Sequence, residues 1–467
     1  MTPFLGVAGL GGAGSLIGVG GASILSKNYW QTKIVGNANG ADYNGYTVAV
    51  DSESGAVFFG GSGRAFGTGT TDTIFIGKLN ADGSHAWARA LTSDSSGSEG
   101  LYGMDCDSQG NVYAVGYCYN TSTTYTNGGR DAIITKYDTN GNLQWQRALG
   151  DNSLINQRAR EIHIDDSDNI FICGVNDSQV HIAKYNTSGT VQWNRQITDN
   201  VRDHHGYGID TDGSGNIYAC AHYEHPTRKS TLYKLNSSGT VQWARLLENG
   251  SSDLFANHCA TDSSGNVYVC AHGAGGSFSY DWRILKFNSS GTLQWQEALA
   301  GTGNDFPYAV KVDSSDDIIV GGVCKSGSVQ FMTIAKWNSS GTFQWQRRMY
   351  ANSLNSSETW AYDMKLDTED NIYVSGTTYY DSGLGNNPAA RMIVLKIPSD
   401  GTLTGTYNSD VTGTVTLEAS PYNTTTTQSA ITASAHTTSQ FNYTLTNKTS
   451  GLNHATLSND INRTPFA

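Results

Sequence analysis

The chain has 467 residues, 38% of them hydrophobic, with 54 glycines against 7 prolines, enough apolar material for a large core broken by many tight turns. Its 29 basic and 41 acidic residues leave a net charge of −12, which excludes a broad phosphate-neutralising surface and makes nucleic acid a poor partner. Seven cysteines, an odd number, argue against a complete disulfide framework.

Residues 1–27, MTPFLGVAGLGGAGSLIGVGGASILSK, are apolar but lack a basic n-region, and glycine repeatedly interrupts the run. A flexible leader or a segment that orders against a partner is favoured over a secretory signal or a membrane span. From residue 28 to 407 one unit recurs with a period of about fifty residues. Each copy opens with a run ending in aspartate, YTVAVD, YGMDCD, REIHID, GYGIDTD, NHCATD, YAVKVD and YDMKLD, which close on Asp51, Asp107, Asp165, Asp212, Asp262, Asp313 and Asp367. A polar or glycine-containing turn and an apolar run such as NVYAVG follow, and the pair predicts a β-hairpin.

A third run ends in Lys78, Lys136, Lys184, Lys234, Lys286, Lys336 or Lys396. Beyond the first six of these lysines, past turns such as NSSGT, stand Trp87, Trp145, Trp193, Trp243, Trp295 and Trp345 on a fourth run. Four strands per unit, with no amphipathic helix, predict a propeller blade. The corresponding position after Lys396 holds Gly405, whereas Trp30 has fourth-strand surroundings and no three strands before it. The favoured arrangement joins the two: the strand near Trp30 completes the blade that ends near Lys396 and latches the ring, removing its exposed edges. The alternative has residues 402–407 supply the last strand.

The D-S-x-G-N-x-Y-V turn, as in Asp262 to Val269, the lysine strand and the S-S-G-T-x-Q-W strand, as in Ser289 to Glu297, resemble the SBBP family of β-propeller repeats over about residues 29–407. Glu297 departs from the arginine of most copies. The resemblance implies an all-β, seven-bladed propeller of four-stranded blades; the family has no common chemistry, so function does not follow from the fold.

A tryptophan repeated in six blades is more economically a packing residue than a stacking platform. Arg89, Arg147, Arg195, Arg245 and Arg347 lie two residues further along the strand and share its face. Cys173, Cys220 and Cys270 fill one equivalent strand position and read as reduced core thiols. Residues that break the repeat are better ligand contacts: Trp282, Trp360, Phe278, Tyr280, Tyr379 and Tyr380 are the candidate binding aromatics. Asp210-Thr-Asp212-Gly-Ser214-Gly-Asn216 resembles a calcium loop but lacks the bidentate glutamate and falls where each blade already needs a turn. Cys220 with His222 and Cys270 with His272 offer sulfur and imidazole at strand spacing, without an established zinc pattern. No catalytic set stands out, and no cofactor or metal is expected.

Residues 408–467 are rich in threonine, serine and asparagine, and alternation in GTVTLEAS and FNYTLTN predicts short β-strands that another chain could complete, an assembly or docking segment. The layout of glycine-rich leader, propeller and threonine-rich tail resembles virion structural proteins of tailed phages, particularly marine cyanophages. That resemblance implies a non-enzymatic tail-fibre, appendage or capsid-surface protein in the virion. It would dock to other virion proteins through the leader or the tail and display the propeller, as a monomer or a symmetric fibre, to host surface polysaccharide or protein, without membrane insertion. A secreted or surface bacterial propeller lectin is the alternative, and a polysaccharide depolymerase a third class.

Overall fold

Between residues 29 and 402 the computed structural model describes all but 35–42, 64–72, 93–98, 120–129, 151–155, 177, 199–202, 225–227, 275–278, 353–357 and 381–388; beyond 402 it describes the strands named below. The leader, 1–27, lies outside the described residues. The described chain is all strand and turn, arranged as seven antiparallel blades. Strands in each blade are lettered a to d from the axis outward. The a strands are Tyr43–Val50, Gly100–Cys106, Gln157–Ile164, Asp203–Thr211, Leu254–Thr261, Phe306–Val312 and Thr359–Leu366. Each packs against the next, and the first against the last, so the ring is closed.

Closure uses the N-terminus. Blade 7 has only three consecutive strands, Thr359–Leu366, Ile372–Tyr380 and Ala389–Ile397. Its fourth is Trp30–Ile34, with Trp30 opposite Lys396 and Ile34 opposite Met392. The favoured latch is therefore the observed one; the strand Gly405–Ser409 pairs with Gly413–Ala419 instead of with blade 7.

The recurring aspartate, tyrosine and lysine form one network. In blade 2, Asp107 accepts the backbone N–H groups of Gln109 and Asn111, the Asn111 amide, the Tyr113 hydroxyl at 2.9 Å and the Lys136 ammonium at 3.1 Å. Burial opposes ionisation, but these donors outweigh it and hold the Asp107 carboxyl below the usual range. Asp262 with Tyr268 and Lys286, and Asp367 with Tyr373 and Lys396, repeat the arrangement. One aspartate thus ties the a–b turn to strands b and c.

The tryptophans join blades. Trp30, Trp87, Trp145, Trp193, Trp243 and Trp295 each donate the indole N–H to a carbonyl in the c–d turn of the next blade, at 2.9–3.2 Å. Arg89, Arg195 and Arg245 lie 5.0–5.3 Å from the neighbouring indole ring and donate Nε to the glycine carbonyl of that turn. The apolar core sits between blades, as where Phe58, Ile76 and Trp87 of blade 1 meet Leu101, Met104 and Ile133 of blade 2. All seven cysteines are free and six are buried.

The tail supplies a fifth strand to every blade. Gly413–Ala419 pairs with Phe343–Asn352 of blade 6, Asn423–Thr424 with Leu293–Ala300 of blade 5, and Thr432–Ala435 with Val241–Glu248 of blade 4. Ser439–Asn442, Thr446–Lys448 and Asn453–Thr456 continue onto blades 3, 2 and 1, and Ile461–Pro465 pairs with Trp30–Ile34 of blade 7. Tail segments expected to pair with another chain pair with this chain's own blades. Each d strand would otherwise present unpaired backbone groups along the rim, and the Thr-rich segments cover them.

Candidate ligand-binding face

Every a strand carries a β-bulge. The register breaks between Gly45/Thr47, Leu101/Gly103, Ala159/Glu161, Gly206/Gly208, Ala256/His258, Pro307/Ala309 and Ala361/Asp363. A bulge leaves one residue unpaired and re-aims its side chain. The residues so placed are Tyr46, Tyr102, Arg160, Tyr207, Asn257, Tyr308 and Tyr362, and they form a ring around one mouth of the axis, on the face opposite the D-S-x-G-N turns.

From Tyr308 round to Tyr207 the side chains of that ring touch in sequence. Tyr308 and Tyr362 have ring centroids 5.3 Å apart, Tyr362 and Tyr46 5.3 Å, and Tyr46 and Tyr102 6.3 Å. The Arg160 guanidinium lies 5.4 Å from the Tyr102 ring and 4.3 Å from that of Tyr207. Asn257 donates its amide to the Pro307 carbonyl. An outer tier continues the surface: Tyr207 stacks on His222 at 4.1 Å, Phe255 on His272 at 4.5 Å, and Phe306 runs alongside Trp360 at 6.5 Å. Apart from buried His222 these rings are half-buried, one side packed and the other toward solvent. Burial keeps His222 neutral, with Arg160 adding to the downward shift, and lowers His272 to about 3.

Beneath the tyrosines the axis is filled by charge. Lys365 meets Asp105 at 3.1 Å, and His163 meets Asp210 at 3.2 Å. His258 approaches Glu161 at 3.9 Å and Lys311 at 3.5 Å, and Asp363 accepts the Thr47 hydroxyl at 3.0 Å. Burial and Asp363 raise Glu161 to about 8, against Lys365 and Lys311, while burial and the two lysines hold His258 well below its ordinary value. Glu161 and His258 therefore face each other neutral at pH 7. This packed layer makes the mouth a shallow bowl with a floor.

Of the expected binding aromatics, Trp360 and Tyr280 belong to the bowl, Tyr280 standing 5.4 Å from His272 and 6.0 Å from Phe306. Tyr379 adds to the upward shift that burial imposes on Tyr308 and Tyr362. Tyr380 ends its strand opposite Ala389, and Phe278 lies outside the described residues. Trp282 is corrected: its ring is fully buried and its N–H is bonded to the Val323 carbonyl at 3.1 Å, so it is core. It breaks the repeat because it fills space between blades, not because it is displayed.

The ring itself was missed, although its signal is present. Each bulge residue stands at the same offset before the repeat aspartate, so Tyr46, Tyr102, Tyr207, Tyr308 and Tyr362 recur as regularly as the tryptophans. Among the described residues no group of three or more His, Cys, Asp and Glu is arranged to hold a metal ion. The Cys220 and Cys270 thiols lie in the core, while His222 and His272 stack in the bowl. Asp212 is taken by its own turn and Asp210 by Thr261.

Residues 242–279 match the model of the SBBP β-propeller repeat. That segment is an SBBP-type repeat within the seven-bladed propeller. No curated protein matches it in sequence. Solved structures similar to this propeller include a polysaccharide lyase, PL25 ulvan lyase bound to -[GlcA(1-4)Rha3S]-, with 10% identity over 78% of this chain and 94% of that one and a TM-score of 0.49. An N11 neuraminidase-like protein of the influenza virus A/flat-faced bat/Peru/033/2010 shares 11% identity over 84% and 98% of the two chains, TM-score 0.39. NanB sialidase from Streptococcus pneumoniae shares 10% over 81% and 72%, TM-score 0.41. The expectation that this protein is not an enzyme is corrected here, because enzymes stand among the structures this propeller is similar to. At these similarities the likeness is one of fold and assigns no reaction.

Proposed function

We propose that the propeller recognises a surface polysaccharide at the tyrosine-ringed bowl. The ring of Tyr308, Tyr362, Tyr46 and Tyr102 with its outer tier of Trp360, Phe306 and Phe255 is the observation that carries this. Half-buried aromatic rings pack the apolar C–H faces of sugars, and phenol hydroxyls at their margin exchange hydrogen bonds with sugar hydroxyls. Tyrosine loses little conformational freedom on binding. The charged floor beneath keeps the rings from collapsing inward. The order of leader, propeller and tail supports display of this face on a phage virion toward a host envelope.

Binding of the full chain to a panel of bacterial and algal envelope glycans, followed by calorimetry and by assay for released saccharides, tests the proposal. Saturable binding lost on Tyr308→Ala and Tyr362→Ala, with unchanged thermal unfolding, is expected. Binding that both variants retain would sink it. Peptides of the chain in density-purified virus particles would support the virion setting, and their presence in cell envelopes instead would favour a surface lectin.

A further inference from the structure

Blade 3 departs from its neighbours at the bowl. Where five blades place tyrosine at the bulge it has Arg160, and two residues earlier, where the others have Asn44, Gly100, His205, Phe255, Phe306 and Trp360, it has Arg158. Both guanidinium groups are held by aromatic faces. Arg160 lies between Tyr102 and Tyr207, and Arg158 lies 5.4 Å from the ring of Tyr117. Cation–π contact orients a guanidinium plane without satisfying its N–H donors. The Nε atoms of both arginines are buried with no hydrogen-bond partner.

The nearest acid in sequence, Glu161, does not neutralise them, because it turns into the axial floor toward His258 and burial keeps it protonated at neutral pH. The electropositive character reaches the next blade, where Arg160 helps hold His222 neutral. The chain's overall negative charge does not cancel this, since charges more than a Debye length away, about 8–10 Å, are screened, whereas the two guanidinium groups act at contact.

We propose that Arg158 and Arg160 form a subsite for an anionic substituent, carboxylate or sulfate, on the bound polysaccharide, so that the ligand class is an acidic glycan. The inference rests on the bowl being the polysaccharide site. An oxyanion placed there would accept the idle guanidinium donors in the charge-assisted, two-pronged geometry that arginine supports, while its sugar ring packs on Tyr102 or Tyr207.

The test uses the full chain and four probes: a neutral galactan oligosaccharide, its sulfated counterpart, an oligogalacturonate and inorganic sulfate. Wild type is expected to bind at least one acidic oligosaccharide about tenfold or more tightly than the neutral one, and Arg160→Gln to lose about tenfold for it. Arg158→Gln should weaken the same probe, and Arg160→Lys should restore part of the loss. Preference for the sulfated or the carboxylated probe identifies the group. Equal binding of neutral and acidic probes, abolished by Tyr308→Ala, would overturn the subsite and leave the polysaccharide proposal standing. Sulfate binding lost in Arg160→Gln with no glycan bound would do the reverse. Silence with all four probes would overturn both. Unchanged unfolding temperatures of the variants separate lost binding from lost fold.

Discussion

The indole of Trp30, on the first described strand, lies against Gly83 in the c–d turn of blade 1 and donates its N–H to the Ala81 carbonyl at 2.9 Å. This contact spans the seam where the two ends of the ring meet. A Cβ at Gly83 would stand 2.5 Å from the indole, and the residue has φ +80, a backbone conformation that side chains resist.

Gly83→Ala is expected to cost about 1–3 kcal/mol through strain and a displaced indole, and Trp30→Ala about 3–5 kcal/mol. Gly250→Ala separates the two causes. Gly250 also has positive φ, at +58, but nothing lies near its Cβ position, so only the backbone penalty of about 1–2 kcal/mol applies. Denaturant unfolding of the three variants measures the order; equal losses at Gly83 and Gly250 would show that the seam contact contributes nothing.

The turn network gives a second expectation. Asp262→Asn removes the anion that accepts Tyr268 and Asn266 and that faces Lys286 at 3.4 Å. The loss should be about 1.5–3 kcal/mol at pH 7. Asp262 is held below its ordinary pKa by these donors acting against burial. Its contribution is therefore present above about pH 3.9 and disappears as pH falls through the lower folded value. Wild type and variant should converge in stability in strong acid.

Glu161 has the opposite sign. Its folded pKa of about 8 stands above its unfolded value, so the native state binds the extra proton and stability falls as pH rises from about 4.3 to 8. Glu161→Gln keeps the neutral shape and removes that slope. Its unfolding temperature should exceed wild type at pH 8.5 and approach it at pH 5; a variant no more stable at pH 8.5 would show that the axial floor accommodates the carboxylate.

Three buried histidines and the half-buried His272 set the acid limb. Burial lowers His181 to about 4 and His272 to about 3, and holds His222 and His258 well below their ordinary range. Each becomes charged in the unfolded chain first, so the histidine contribution to stability is complete above about pH 6.5 and declines below it, by about 2 kcal/mol per histidine at pH 5. His181, buried on Gln179–Tyr185 two strands out from the bulge of blade 3, is the one to replace. His181→Leu should flatten the loss between pH 6.5 and 5, as read from urea midpoints at stepped pH.

The blade count, the four-stranded unit and the Trp30 latch were legible because packing imposes one period on every copy. The same regularity hid the bowl. Tyr46, Tyr102, Tyr207, Tyr308 and Tyr362 repeat in step with the structural residues, and only the bulge, which is invisible in a residue string, turns them toward the axis. Irregularity misled at Trp282, an off-phase aromatic that packs between blades. Arg158 and Arg160 carried a signal as substitutions within an otherwise aromatic register, legible once the register itself is known.

The rim strands run back over the blades in reverse. Trp30–Ile34 precedes every other described strand in the chain but pairs with Ala389–Ile397, so the ring closes only with the strands of blade 7 in place. Along its length the tail lies on blades 6, 5, 4, 3, 2 and 1 in turn and on blade 7 last, against the order of the first six blades in the chain. The last described strand, Ile461–Pro465, lies beside the first, Trp30–Ile34. Loss of any one tail segment therefore bares the outer edge of one d strand, and Trp30–Ile34 is bared by every cut made before Ile461.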